Sequence, residues 1–542
     1  MAKGLLRSRR LSTVCKGMVS GAVVAAAMSA APKVALADKA WNTLALGGDW
    51  SMPGNWFGSP GAPPGVPVAG EHVSLVQSDS LTRNVTYDAA ASIAGTLESL
   101  TIECPINGTM QLVLPTTAGT LTTKAMFVGN TAVGNVSHQG GTLTATDYLV
   151  VGGPAVYAQY FLTGGTLNAG QLVLSASSQG YFYQSGGTLN VNATSMYLGS
   201  GGVNTRGTYS LSGTGSLNFT GNGSVYVGSS SMGSFYQGGG TFTIGTPTNE
   251  KPLYIGTGST STGFYLLTGT GNLTVNGVEH IGYGGNGTGN GGAYGSFAQT
   301  GGTHFTETLW LGENAGAAGD YRLAGGTLTA GAMDVGIGGS ANVTQTGGSV
   351  ISPNTIALGK NAGGTGNYFI GNGTVSAAGL NVGEAGNGLM FQSGGTITVS
   401  QALSVAGSAG GFGNYVLGAG GKLVVNGTET VGSNGTGTFN SAGAHSAVSL
   451  VVGATKGNGL GQFNLTSGTL AASSITLNKS GEFNMTGGTV SNFAQNGSAT
   501  LTNTGGTFTY SGGTFNGKIV HRGGSLILNK DFVAGNGLLN ES

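Results

Sequence analysis

The sequence predicts an all-β fold: a single-stranded parallel β-helix, right-handed, with coils of about 24 residues carrying three short strands each. Three observations predict it. Glycine supplies 108 of the 542 residues, against a usual share of roughly 7%, and it shows no period of three, which excludes a collagen helix. A signature of apolar residue, any residue, apolar residue, glycine recurs, as in Met126 to Gly129, Leu149 to Gly152, Met196 to Gly199, Val225 to Gly228 and Leu309 to Gly312. Two further segments keep step with it. One is Gly-Gly-Thr-Leu-Thr or a variant, starting at Gly140, Gly164, Gly186, Gly325 and Gly394. The other is glycine, any residue, then an aromatic, as in Gly180-Tyr181-Phe182 and Gly319-Asp320-Tyr321.

The physical logic is simple. In a short strand alternate residues face opposite sides, so Leu328 of Thr327-Leu328-Thr329 points inward and both threonines outward. Glycine allows the positive φ values that sharp corners need. One such unit cannot bury its apolar face alone; stacked units build a continuous core.

Residues 1–37 read as an export signal. Lys3, Arg7, Arg9, Arg10 and Lys16 precede the small apolar run Val19 to Ala31, and Ala35-Leu36-Ala37 follows as a cleavage pattern. The run is too short to span a membrane. Export then places the protein outside the cell or on its surface. Cleavage removes six of the 19 basic residues and none of the 19 acidic ones, so the mature net charge is 13 − 19 = −6. So sparse and weakly acidic a surface cannot neutralise many phosphates, which argues against nucleic-acid binding. No later stretch is apolar enough to be a membrane span. Cys104 is the single mature cysteine, so an internal disulfide is excluded and the thiol is read as a small core residue.

Residues 38–115 form an N-terminal cap and the first coils. Trp41, Trp50 and Trp56 lie here with Pro60, Pro63, Pro64 and Pro67. Bulky rings and proline suit a plug over the open first coil.

Residues 116–500 form the repeat array. In its third strand two coil types alternate. One gives Tyr160/Leu162, Tyr209/Leu211, Tyr265/Leu267, Tyr321/Leu323, Tyr368/Ile370 and Tyr415/Leu417. The other gives Phe182/Gln184, Phe235/Gln237, Phe297/Gln299, Val343/Gln345 and Met390/Gln392. The repeat is therefore a pair of coils. Tyr160, Phe182, Tyr209, Phe235, Tyr265, Phe297 and Tyr321 are expected to stack as a ladder on one inner face. Gln184, Gln237, Gln299, Gln345 and Gln392 are expected at a corner, satisfying turn amides of neighbouring coils; solvated glutamines are the alternative. His138 occupies the same slot. Residues 501–542 hold shortened terminal repeats and no closing cap, which reads as an incomplete end or one that docks on a partner or on another copy.

The cap segment Gly48 to Trp56, with Gly70-Glu71-His72-Val73 and the Gly-Gly-Thr-Leu units behind it, resembles secreted bacterial β-helix proteins of the autotransporter-passenger and PEP-CTERM-associated types. The resemblance implies a cell-surface or extracellular protein with an adhesive or structural role. A C-terminal barrel translocator and a Pro-Glu-Pro sorting tail, both features of those types, do not occur in this sequence.

Enzymatic β-helices need clustered acids or a Ca²⁺ site beside a basic residue. Glu307, Glu313 and Asp320, with His304 nearby, form the densest acidic group, so Glu307 and Glu313 are the catalytic candidates. Solvated charges are the plainer account. Glu279 and Glu429 share the context Val-Asn-Gly-x-Glu, which reads as repeat inheritance. The six histidines lack metal-ligand spacing and no cofactor motif occurs. Outward Thr-x-Thr pairs, such as Thr142/Thr144 and Thr396/Thr398, could contact carbohydrate, but they are too irregular for an ice-like lattice. The expected function is a non-enzymatic surface rod for adhesion or scaffolding, with polysaccharide or cell-surface components as partners and end-to-end self-association as a further option. The alternative is a carbohydrate-active β-helix enzyme.

Overall fold

In the computed structural model the described residues are 37–540, apart from 43–44, 46, 59–64, 77–78, 92, 105–107, 154–156, 203–204, 285–291, 456–457, 493–498, 516 and 532–537. The expected export signal, and Pro60, Pro63 and Pro64, lie outside them.

The chain is a parallel β-solenoid of about 17 coils with about 24 residues each. At roughly 4.8 Å per coil the stack is about 80 Å long. Three parallel sheets run its length. The threonine sheet stacks Thr142–Ala145 on Thr166–Ala169, then on Thr188–Val191 and onward. The closing sheet carries the strands that run into the sharp corner, most of them ending in glycine: Leu149–Val151, Leu172–Leu174 and Met196–Leu198. The aromatic sheet stacks Ala158–Leu162 on Gln179–Gln184 and on Arg206–Leu211.

In many coils the expected first two strands are one bent strand, as in Thr142–Val151, Asn272–Ile281 and Thr303–Leu311. The register slips at the bend, between Ala145 and Tyr148 for example. A bulge turns the corner there without breaking the hydrogen-bonded ladder. The sharper corner follows the closing strand. Gly383 has φ 72°, and a Cβ on it would lie 2.2 Å from the Phe412 carbonyl oxygen. Ser175 and Ala406 hold this corner without glycine, at φ 67° and 57°.

Inward residues of all three sheets form one continuous core. The tryptophans close its first end. Lys39–Trp41 pairs in parallel with His72–Val76 and antiparallel with Trp56–Gly58, so the sheet's edge is covered by the chain itself. Trp41, Trp50 and Trp56 are all buried. Trp56 meets Trp41 and Trp50 edge-on at 5.1 and 4.7 Å, and Trp50 meets Tyr87 at 5.4 Å. Cys104 is buried, with its thiol donating to the Asp79 carbonyl at 3.2 Å. Near the far end the coils shorten. Gly517–Leu528 lies as one strand along Ala499–Tyr510, with register shifts between Asn503 and Thr507.

Candidate functional site

The interior comes first, because it fixes what the surface can display. Tyr160, Phe182, Tyr209, Phe235, Tyr265, Phe297 and Tyr321 form one column, with consecutive ring centroids 4.7 to 4.9 Å apart and planes within 9°. All seven are fully buried. The five glutamines of the same sheet are buried too. Each one brackets two coils. Gln237 Oε1 accepts from the Tyr265 hydroxyl at 2.5 Å, while its Nε2 donates to the carbonyls of Gly240 and Asn272 at 3.3 and 2.9 Å. Gln184 does the same for Tyr209, Gln299 for Tyr321, Gln345 for Tyr368 and Gln392 for Tyr415. The groups satisfied at the turns are thus carbonyls. The two-coil period has a direct cause: a phenol needs an acceptor one coil back, and that glutamine then faces leucine on either side (Leu211 and Leu267 for Gln237). His138 takes the glutamine's place for Tyr160, with Nδ1 at 2.9 Å from the hydroxyl. Burial pushes its imidazole down to about 4, partly opposed by the Gly141 and Gly140 backbone. Burial also holds the ladder tyrosines well above the usual phenol range.

Two acids that read as repeat inheritance have a specific place. Glu279 sits in a leucine column of the closing sheet, between Leu253 and Leu309. His304 sits in a leucine column of the threonine sheet, between Leu273 and Leu328. Across the core His304 Nε2 meets Glu279 Oε2 at 2.7 Å, and its Nδ1 meets the Tyr321 hydroxyl at 2.9 Å. Glu429 and His445 repeat the contact at 2.7 Å. All four side chains are fully buried. The sequence carried a usable signal: glutamate replaces a core apolar residue only where histidine does so one coil later.

The three acids grouped by sequence are not gathered. Glu307 lies exposed at the bend before Thr308–Leu311, and Glu313 lies at the corner after it. Asp320 is on the outer face of the aromatic sheet, bonded to the Tyr294 hydroxyl and Asn342. His304 is inside. These four residues, grouped by sequence, occupy separate places because three sheets face three directions.

The densest surface chemistry lies elsewhere, on the outer side of the closing sheet. There the middle, unconstrained position of the glycine-closed signature forms a column: Tyr197, Tyr226, Tyr254, His280 and Trp310. The tyrosines stack at 4.9 and 5.2 Å, and His280 stacks on Tyr254 at 4.3 Å. Tyr283 and Trp310 meet His280 edge-on at 5.2 Å. His280 Nδ1 lies 2.5 Å from Glu313 Oε2, with the side chains 7% and 20% exposed. Burial, with Tyr226, Tyr283 and Glu313 nearby, raises the Tyr254 phenol far above its usual range, so it stays neutral. The next coils add Asp334, bonded to Lys360 at 3.0 Å. This pair sets one imidazole against one carboxylate; glycoside hydrolysis uses two carboxyl groups. Among the described residues no three His, Cys, Asp or Glu side chains are grouped to hold a metal ion. Among them, too, no helix is long and apolar enough to cross a membrane. The column is visible in the sequence only once the repeat has been aligned coil by coil.

No known family model, curated protein or solved structure matches this chain. The class that its own geometry defines is the parallel β-solenoid.

Proposed function

We propose that this chain is an exported, non-enzymatic rod used for adhesion or as extracellular scaffold, of the secreted bacterial β-helix kind that its cap and repeats resemble. The observation that carries the reading is the uninterrupted core: about 17 coils locked to one another by Tyr–Gln brackets such as Tyr265–Gln237. Such a core suits stiffness over length. One observation favours the alternative, a carbohydrate-active enzyme: the His280–Glu313 pair beside Tyr254, Tyr283 and Trp310.

The test is incubation of the mature protein with soluble polysaccharides, scored for new chain ends and for retention on the polymer. Retention without cleavage is the adhesive outcome. Neither signal leaves a scaffold whose partners are proteins or other copies. New chain ends that vanish in Glu313→Gln overturn the non-enzymatic reading.

A further inference from the structure

A ladder of planar groups runs along the outer face of the aromatic sheet. Asn342 donates to Asp320 Oδ1 at 3.1 Å, and Asn367 donates to Asn342 Oδ1 at 3.0 Å. The register continues from Asn367 to Leu389 and then to Asn414. Leu389 therefore breaks the ladder. Asn367 has given its Nδ2 to Asn342, which leaves its Oδ1 open as an acceptor. On the far side Asn414 Oδ1 accepts from Asn440 at 3.5 Å, which leaves the Asn414 Nδ2 open as a donor.

The break is a groove of about 360 Å³ lined by Asn367, Leu389, Asn414, Asn387, Thr438 and the Phe412 ring. Phe412 is 57% exposed, among the highest values for a large apolar side chain here. No charged side chain lines the groove. The backbone of Gly388 and Gly413 adds to its lining. The two open amides are two coils apart, about 9.6 Å, the scale of one sugar ring with a hydrogen bond at each end.

We propose that this groove is a subsite for a neutral pyranose of a polysaccharide chain. The ring's C–H face would lie on Leu389 and Phe412. One hydroxyl would donate to Asn367 Oδ1, and another would accept from Asn414 Nδ2. An uncharged site with an apolar floor and amides of opposite sense at its two ends selects neutral sugars over uronic acids, sulfated glycans and phosphates. The inference gives the adhesive reading a ligand class and rests on that reading only for its biological use; it does not involve the His280–Glu313 surface.

The test is affinity electrophoresis of the full chain through gels holding a neutral β-glucan, a galactomannan or a xyloglucan, with polygalacturonate as the anionic control. Retardation by a neutral polymer is expected, with none by polygalacturonate. Phe412→Ala should weaken it at least fivefold. Leu389→Asn, which completes the amide ladder, pairs both open amides and removes the apolar contact without disturbing the core, should abolish it. Phe391→Ala, an exposed ring on the same face outside the groove, should leave it unchanged, and circular dichroism checks that each variant is folded. Retardation that survives both Phe412→Ala and Leu389→Asn overturns the subsite while leaving adhesion intact. Absence of retardation by any polymer overturns it and leaves the scaffold; retardation by polygalacturonate alone overturns it and leaves adhesion to an anionic polymer.

Discussion

The hydroxyl of Tyr265 donates to Oε1 of Gln237 one coil earlier, at 2.5 Å, with both side chains sealed in the core. Gln237 also donates to a carbonyl of its own coil and to one of the next, at Gly240 and Asn272. One side chain thus joins two coils by three hydrogen bonds. Gln237→Leu leaves the phenol short of a partner. A loss of about 1–3 kcal/mol is expected from the stranded phenol, because the Gly240 carbonyl keeps its bond from the Asn272 backbone N–H. Adding Tyr265→Phe should recover part of it, because the phenol is then gone. Thermal melts of the four members of this cycle check the claim; an unchanged melting temperature in Gln237→Leu would refute it.

His138 makes the first bracket sensitive to acid. Its folded value, about 4, lies below the usual 6.5 because burial disfavours the charged ring. As pH falls below 6.5 the unfolded chain takes up a proton that the folded chain refuses. Stability is therefore complete above about pH 6.5 and is lost as pH falls toward 4, by up to roughly 3 kcal/mol. His138→Gln keeps the bond to Tyr160 and removes the titration. Melting temperatures of both proteins between pH 4 and 7 should diverge at the acid end; parallel curves would show that His138 contributes nothing to acid sensitivity.

Glu279 and His304 are mutually dependent, so their single and double substitutions should differ in sign. Glu279→Leu strands the histidine in the core and should cost about 3–5 kcal/mol. Glu279→Leu with His304→Leu restores the leucine found on both sides of each position. That double variant should be as stable as the parent or more so, since replacing a buried pair by packed apolar residues is often neutral or stabilising. Urea midpoints decide it. A double variant as weak as the single one would mean that the pair sets coil alignment in a way that leucine cannot.

Ala406 sits where most coils have glycine, at φ 57°. An L-residue there costs about 1–2 kcal/mol, partly offset by glycine's greater freedom in the unfolded chain. Ala406→Gly should raise the melting temperature slightly. Gly383→Ala, at the same corner one coil earlier, should lower it clearly, because its Cβ would strike the Phe412 carbonyl. Equal effects of the two would contradict the strain argument.

Much of this was legible in the chain. Strand alternation and corner glycines are local properties, and together they specified coil, sheet and core. The tyrosine and glutamine types were visible as an alternation, yet the partner of each was not. The middle position of the glycine-closed strand looked unconstrained, so the column through Tyr254, His280 and Trp310 passed unnoticed. The acids grouped by sequence fell on different faces.

What the sequence by itself determined is the β-solenoid, its coil of about 24 residues and the inward and outward alternation along its apolar strands. What only the tertiary structure decided is which residues of different coils touch. The reason is that turns absorb insertions while strands keep register. The same buried contact joins Glu279 to His304 across 25 positions and Glu429 to His445 across 16. A period readable in the chain therefore gives the direction of a side chain but not its neighbour, and both the buried pairs and the groove at Leu389 are matters of neighbours.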